Sequence, residues 1–161
     1  MAPGDAARTG MLTNTRTVRV QWGDCDPADI VFYPRYFEWF DASTILLFEK
    51  ATGMIKSKML EKYGGAGLAL LEARANFKVA SRYGDDIEIE TQICEFRRSS
   101  FFVEHKITKN GTLAVEGFET RLWTVRDGAD PNRLKSGSMP AEITKHFNAA
   151  ESGRPWPLAA P

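Results

Sequence analysis

The chain is poor in cysteine and histidine, the residues that most often build metal and redox centres. It has two cysteines, Cys25 and Cys94, and two histidines in 161 residues. The cysteines lie far apart and form no CxxC pair, so we expect reduced thiols, as in cytoplasmic proteins. Two histidines argue against zinc chemistry. We therefore predict no metal and no redox cofactor.

Net charge and long apolar runs are also missing. Lysine plus arginine and aspartate plus glutamate number 21 each, so no overall field attracts nucleic acid or an anionic membrane. No apolar stretch approaches the roughly 20 residues of a membrane span. Residues 1–15 lack the apolar segment of a secretory signal. These absences predict a cytoplasmic protein with no nucleic-acid partner and no membrane partner.

The composition that remains is that of one globular domain. Hydrophobic residues make up 43% of the chain, enough for a single core at this length. The first dozen residues are small and polar, and the last dozen are rich in glycine and proline. We predict flexible segments over residues 1–15 and 149–161, and one domain over residues 16–148.

A strand and a long helix are predicted in the first third of the domain. Residues 17–22 alternate apolar Val18, Val20 and Trp22 with polar positions, which is typical of a half-buried strand. Pro34 suits a first helical turn and Gly53 a left-handed cap, which indicates a helix of about five turns. Apolar residues cover more than one stripe of this helix, so we expect it at the centre of the domain.

The remainder of the domain alternates like an antiparallel sheet. The dipeptide Asn110-Gly111 is typical of a tight hairpin turn, because both central residues of that turn need a positive φ. The predicted order is one strand, one buried helix, four strands and one helix, an α+β fold. The later strands are predicted over residues 71–79, 87–93, 101–107 and 113–125, and the last helix over residues 140–147.

Three carboxylates lie between the first strand and the long helix: Asp24, Asp26 and Asp29. A carboxylate beside a helix N-terminus is close to unpaired N–H groups, which can stabilise negative charge developing on a substrate carbonyl. This combination indicates acyl transfer or hydrolysis. Aspartate also serves often in turns and caps, and we favour that role for Asp24 and Asp29.

The same segment resembles a family signature. Asp-Cys-Asp-Pro-Ala over residues 24–28, Ile-Val-Phe-Tyr-Pro over residues 30–34, Tyr36 and Trp39 resemble the motif of 4-hydroxybenzoyl-CoA thioesterases and their bacterial acyl-CoA thioesterase relatives. Residues 83–86 and 96–101 are similar to later segments of that family, in the same order. The resemblance spans about residues 16–148. It implies a hotdog fold, an antiparallel sheet wrapped around a long central helix, with active sites at the interfaces of a homodimer or homotetramer.

The resemblance also implies roles for single residues. Asp26 matches the catalytic carboxylate, which attacks the thioester carbon or acts as general base for water. The backbone N–H of Tyr33 matches the group that polarises the carbonyl. We expect Phe32 and Trp39 to help line the acyl pocket, and the glycine stretch that ends at Gly67 to approach the acyl group.

Coenzyme A brings phosphates, and a basic pair matches the family's nucleotide segment. Arg97 and Arg98 are the predicted phosphate contacts, because guanidinium groups bind phosphate oxygens at two points. Ser99 and Ser100 are predicted to contact pantetheine or phosphate through their hydroxyls. Three further basic residues at the end of the last strand stay unassigned: Arg126, Arg133 and Lys135.

We make separate predictions for three further residues. His105 falls on the apolar phase of its strand, which favours a hydrogen-bonded core or interface histidine. Cys25 has no identifiable base, so we expect a small buried thiol. Asp29 stands where the family motif commonly has glycine, which places an extra charge beside the predicted site.

The sequence therefore predicts an acyl-CoA thioesterase that releases CoA and a small free acid, with 4-hydroxybenzoyl-like aromatic groups among the candidates. It needs no cofactor, since CoA is part of the substrate. Two alternatives stay open. One is a thioesterase that acts on acyl carrier protein, and the other is a non-catalytic hotdog module that binds acyl-CoA.

Overall fold

A long helix, α1 (Pro34–Thr52), packs against the inner face of a six-stranded antiparallel sheet in the computed structural model, which describes residues 11–148. The strand order is β1-β3-β4-β5-β2, with β6 paired to the end of β5. The remaining elements are β1 (Thr13–Arg19), a 3-10 turn (Trp22–Asp24), α2 (Lys56–Tyr63), β2 (Gly67–Phe77), β3 (Asp86–Phe96), β4 (Ser100–Lys109), β5 (Thr112–Arg126), β6 (Leu134–Ser136) and α3 (Ala141–Lys145).

Helix α1 has the ends that the sequence predicts. Pro34 is its first residue, where a missing N–H leaves no hydrogen bond unmade. Gly53 adopts a left-handed φ of 70° and donates its N–H to Glu49 O at 2.9 Å. One face of the helix is fully buried, including Phe40, Leu47 and Phe48. The predicted central helix is confirmed.

The predicted alternation of β3 and β4 is also confirmed. On β3 the buried positions begin with Ile87 and Ile89, and every second residue of β4 from Phe101 to Ile107 is buried. Asn110 and Gly111 have φ values of 50° and 75°, so the hairpin turn between β4 and β5 has the predicted geometry.

Several elements differ from the prediction. Strand β1 begins at Thr13 rather than near residue 17, and Trp22 is 80% exposed in the 3-10 turn. The short elements α2 and β6 were not predicted. On β2, Leu71 and Phe77 are 59% and 51% exposed, because β2 is a sheet edge and a bulge between Leu70 and Glu72 shifts its alternation. Of the predicted flexible ends, residues 1–10 and 149–161 lie outside the described residues, and residues 13–15 form the start of β1.

The core between helix and sheet contains two apolar clusters. One is built around Phe48, Phe101 and Trp123, and the other around Phe40 and Ile87. Buried polar side chains of α1 and of the sheet lie between the two apolar clusters, and we call them the polar belt. The polar belt consists of Thr44, Thr91, His105, Glu119 and Arg121.

Arg121 and Glu119 form the charged centre of the polar belt. Arg121 donates from Nε to Glu119 Oε2 at 2.9 Å and from Nη2 to Glu119 Oε1 at 2.8 Å. Its Nη2 also donates to Asp41 Oδ1 at 2.7 Å, on the half-exposed side of α1. Burial alone would raise the pKa of Glu119, but hydrogen bonds from His105 and Arg121, and their charges, hold that pKa at about 2.

His105 is the buried, hydrogen-bonded core residue that the sequence predicts. Its Nδ1 lies 2.9 Å from Thr91 Oγ1 and its Nε2 lies 3.3 Å from Glu119 Oε2. Its ring stacks on Phe40, with centroids 4.5 Å apart. Burial lowers the pKa of His105. Gly117 makes room for this stack, because a Cβ there would overlap the Phe40 ring at Cζ.

Within residues 11–148, no helix combines the length and the apolar composition that crossing a membrane requires.

Candidate active site

Residues 24–32, which we call the aspartate loop, form a small hairpin between β1 and α1. Phe32 N donates to Asp24 O at 2.8 Å, and Asp26 N donates to Ile30 O at 2.9 Å. Val31 N, on the second arm, donates to Ser81 O at 2.9 Å. The loop is therefore anchored both to itself and to the chain that leads into β3.

The tip of the aspartate loop is a tight turn with a left-handed residue. Asp26 Oδ1 accepts the N–H of Ala28 at 2.8 Å, and Asp26 O accepts the N–H of Asp29 at 2.9 Å. Asp29 has a φ of 60°, a conformation that glycine adopts most easily. This backbone explains why glycine suits that position in the motif. Asp24 caps the preceding 3-10 turn through Oδ2, which accepts Gln21 N at 2.8 Å.

A cavity of about 730 Å³ opens beside the loop tip, and we call it the first cavity. Asp26 and Cys25 line it from the loop, and Cys25 is only half-buried. Two aromatic side chains, Trp22 and Tyr83, form exposed walls. The first cavity therefore brings a partly exposed carboxylate next to a space large enough for a small ligand.

Arg82 also lines the first cavity and is not among the residues predicted from the sequence. Its Nη1 donates to Asp29 O at 3.1 Å, so the guanidinium holds the left-handed residue of the aspartate loop. Its backbone N–H donates to Asp85 Oδ2 at 2.8 Å, and this bond is the main cause that lowers the pKa of Asp85. No local sequence pattern marks Arg82. It lies far from the aspartate loop in the sequence, and only folding brings the two together.

The N-terminus of α1 leaves one backbone donor free. Pro34 has no N–H, Arg35 N donates to Phe32 O at 2.9 Å, and Tyr36 N donates to Tyr33 O at 3.1 Å. Among the described residues, no acceptor takes the N–H of Tyr33. A free N–H at the positive end of a helix can donate a hydrogen bond to a ligand oxygen and stabilise negative charge on it.

Tyr33 lines a different cavity from Asp26. This second cavity has a volume of about 190 Å³, and its walls include Val31, Tyr33, Tyr36, Phe77 and Ser81. The predicted role of Tyr33 uses only its backbone, so the position of its ring leaves that role open.

The residues predicted to line the acyl pocket do not converge on either cavity. Phe32 is 47% exposed and its ring packs against Tyr33. Trp39 packs edge-on against Tyr36, on the cluster built around Phe40. Gly67 starts β2 at the opposite end from Phe77, and its carbonyl accepts the hydroxyl of Thr124 at 3.1 Å. Within one protomer, Gly67 is not brought to the aspartate loop.

The predicted CoA contacts are also separate from Asp26 in one protomer. Residues 97–100 lie at the turn between β3 and β4, whereas the aspartate loop adjoins the start of β3. β3 has 11 residues, which at about 3.4 Å per residue puts its ends roughly 34 Å apart. The Arg97 guanidinium pairs with Glu95 at 2.8 Å and stacks on Phe102, and Arg98 is exposed.

No group of three or more His, Cys, Asp or Glu side chains within residues 11–148 is arranged to hold a metal ion. The absence of a metal and of a cofactor stays a prediction.

Family comparison agrees with this loop and fold. Residues 20–147 match the family model described as "Thioesterase-like superfamily". The chain belongs to this superfamily. A curated 4-hydroxybenzoyl-CoA thioesterase from Pseudomonas sp. (strain CBS-3) is 32% identical over 133 residues, which cover 80% of this chain and 92% of that protein.

Solved structures of superfamily members share the fold. An Asp-to-Asn mutant of 4-hydroxybenzoyl-CoA thioesterase complexed with 4-hydroxybenzoyl-CoA is 30% identical, with a TM-score of 0.77 over 84% of this chain and 99% of that one. A gentisyl-coenzyme A thioesterase is 28% identical, with a TM-score of 0.71 over 83% and 99%. The predicted hotdog fold is thereby confirmed.

Proposed function

We propose that the protein is an acyl-CoA thioesterase that hydrolyses an aromatic acyl-CoA to the free acid and CoA. The observation that carries the proposal is the aspartate loop, which places Asp26 on the first cavity and ends at a helix whose free donor is the Tyr33 N–H. The superfamily and its named relatives support the same reaction class.

Two routes fit the carboxylate of Asp26. In the first, a carboxylate oxygen attacks the thioester carbon, the C–S bond breaks, CoA leaves as a thiolate, and water hydrolyses the resulting anhydride. In the second, the carboxylate takes a proton from water as the water oxygen attacks the same carbon, after which the C–S bond breaks, CoA leaves as a thiolate and the proton returns from Asp26 to the solvent or to the thiolate. In both routes the Tyr33 N–H hydrogen-bonds the carbonyl oxygen as its negative charge develops.

A direct assay tests this function. Release of free thiol should be fastest from aryl-CoA thioesters, slower from short aliphatic acyl-CoA, and slower again when the same aryl group is carried by acyl carrier protein. Faster release from the carrier protein would favour the first alternative function. Tight binding of acyl-CoA with no release from any thioester would favour the non-catalytic module.

We further propose that the enzyme works as a homodimer or homotetramer whose sites combine two protomers. The separation of Asp26 from residues 97–100 supports this, since one protomer does not bring them together. The edge strand β2 supports it too, because Leu70, Leu71 and Phe77 are each more than half exposed there. An apolar sheet edge of this kind is suited to pairing with another chain.

Mixing two inactive variants tests the shared site. Asp26→Asn lacks the carboxylate, and Arg97→Ala combined with Arg98→Ala lacks the phosphate contacts. In co-expressed mixed oligomers, we expect about a quarter of wild-type activity at low substrate, because random assembly leaves about that share of sites intact. Each variant alone is the control. Activity no higher than the sum of the two controls would contradict sites shared between protomers.

A further inference from the structure

Arg82 reaches the aspartate loop from a segment that is anchored to the sheet. Residues 80–85, which we call the clasp segment, lie between β2 and β3. Lys109, at the end of β4, donates from Nζ to Ala80 O at 2.8 Å and to Asp85 Oδ2 at 3.1 Å. The backbone N–H of Arg82 donates to the same Asp85 oxygen at 2.8 Å. The sheet therefore holds the backbone of Arg82 in place while its side chain extends to the loop.

The Arg82 guanidinium bonds the loop residue whose backbone conformation is least favourable. Its Nη1 donates to Asp29 O at 3.1 Å, and Asp29 has a φ of 60°. Aspartate adopts this left-handed region less easily than glycine, because its Cβ crowds the backbone there. Among the non-glycine residues that the structure describes, only Asp29 and Asn110 have a positive φ, and the hairpin turn requires that angle of Asn110. Asp29 therefore depends on its hydrogen bonds to keep this conformation.

The conformation of Asp29 in turn fixes the position of Asp26. The N–H of Asp29 donates to Asp26 O at 2.9 Å, and the N–H of Asp26 donates to Ile30 O at 2.9 Å. If Asp29 leaves the left-handed region, the chain after it changes direction, and Ile30 O moves away from Asp26 N. The Asp26 carboxylate is then no longer held at its place on the first cavity. A small displacement of a reacting group is enough to slow a reaction.

We propose that Arg82 is a positioning residue for the proposed hydrolysis, because its hydrogen bond to Asp29 O keeps the left-handed turn closed and so keeps Asp26 at the reaction centre. This inference rests on the proposed thioesterase function. In this role Arg82 acts through Asp29 and needs no contact with the substrate. The bond is exposed to solvent, so we expect it to shift the population of the closed turn by only about fivefold.

A double-mutant cycle on aryl-CoA hydrolysis tests the coupling between Arg82 and Asp29. Arg82→Ala should lower kcat about fivefold and leave KM within about twofold, because the loop tip shifts while the predicted CoA contacts stay intact. In an Asp29→Gly background, the same substitution should cost about twofold or less, because glycine adopts the left-handed conformation easily. An equal loss in both backgrounds, or no loss in either, would overturn the inference.

Two further variants separate the hydrogen bond from the charge. Arg82→Lys keeps the charge and a donor that can reach the carbonyl, so it should retain about half of the wild-type kcat or more. Arg19→Ala is the matched control, since it removes an exposed guanidinium at the same end of the sheet, where it pairs with Asp86 at 2.6 Å. Its kcat should stay within about twofold of wild type. A loss as large as that of Arg82→Ala would mean that any nearby positive charge supports the reaction.

Amide hydrogen exchange follows the loop without any substrate. The N–H groups of Asp26 and Asp29 are both bonded inside the turn, so they should exchange about fivefold faster in Arg82→Ala and at the wild-type rate in Arg19→Ala. Faster exchange together with no hydrolysis of any thioester by wild type would reject the proposed function and keep the role of Arg82 in holding the turn. Hydrolysis by wild type with unchanged exchange in Arg82→Ala would keep the function and overturn this inference.

Discussion

Asp26→Asn is expected to lower kcat for the best aryl-CoA substrate by on the order of 10³-fold, while KM changes little. The amide neither attacks a thioester carbon nor takes a proton from water. It still accepts the hydrogen bond from Ala28 N that shapes the loop tip. Steady-state kinetics, with circular dichroism to confirm folding, measures this effect.

Asp29→Asn is the matched control for that substitution. It exchanges a carboxylate for an amide in the same turn, and asparagine accepts the left-handed φ of 60°. We expect less than a tenfold loss of kcat. Similar losses from both variants would mean that the net charge of the loop, rather than the Asp26 carboxylate, supports the reaction.

Glu119→Ala is expected to lower the free energy of unfolding by about 3–5 kcal/mol. The substitution removes both carboxylate oxygens that accept from Arg121 in the core, leaving Leu68 O as its buried acceptor, and it takes one partner from Thr44 and His105. Only Asp41, which is half exposed, remains as a charged partner of Arg121. Urea denaturation of both proteins measures the difference.

Glu61→Ala provides the control for the same change at an exposed site. Glu61 pairs with Lys58 at 3.1 Å, and both side chains are about 70% exposed. Its loss should change the free energy of unfolding by less than about 0.5 kcal/mol. If Glu119→Ala also cost less than about 1 kcal/mol, the polar belt would contribute little to stability.

The polar belt also sets the direction of the pH dependence. The pKa of His105 is lowered in the folded protein, so below pH 6.5 the unfolded chain takes up a proton that the folded protein does not. The pKa of Glu119 falls from 4.5 to about 2, so its contribution is complete above pH 4.5 and is lost as the pH approaches 2. The free energy of unfolding should therefore decrease steadily as the pH falls. In Glu119→Gln, the decrease below pH 4.5 should be smaller than in the wild type.

The sequence alone was enough for the fold and for the position of the loop. Pro34 and Gly53 mark the ends of α1, and strict alternation marks β3 and β4, because those signals depend on local backbone geometry and on one buried face. The family motif located Asp26 and Tyr33 in the chain.

The errors in the prediction occur where local rules are incomplete. Trp22 continues an alternating pattern, yet the chain turns before it and leaves it exposed. Leu71 and Phe77 lie on an edge strand with a bulge, so alternation there does not indicate burial in the protomer. Glu119 and Arg121 fall on the buried phase of β5, but only packing against α1 shows that they pair with each other and with Asp41.

By itself, then, the sequence determined the order of the main elements, without α2 and β6, and a carboxylate before the central helix, since each follows from residues close together in the chain. The hotdog fold was implied by the family motif. Only the tertiary structure decided the surroundings of that carboxylate. Arg82 and Ser81 come from a segment more than 50 positions after Asp26, and folding brings them against the aspartate loop. The same contacts place one arm of the aspartate loop on the first cavity and the other arm on the second. No local sequence pattern predicts this arrangement.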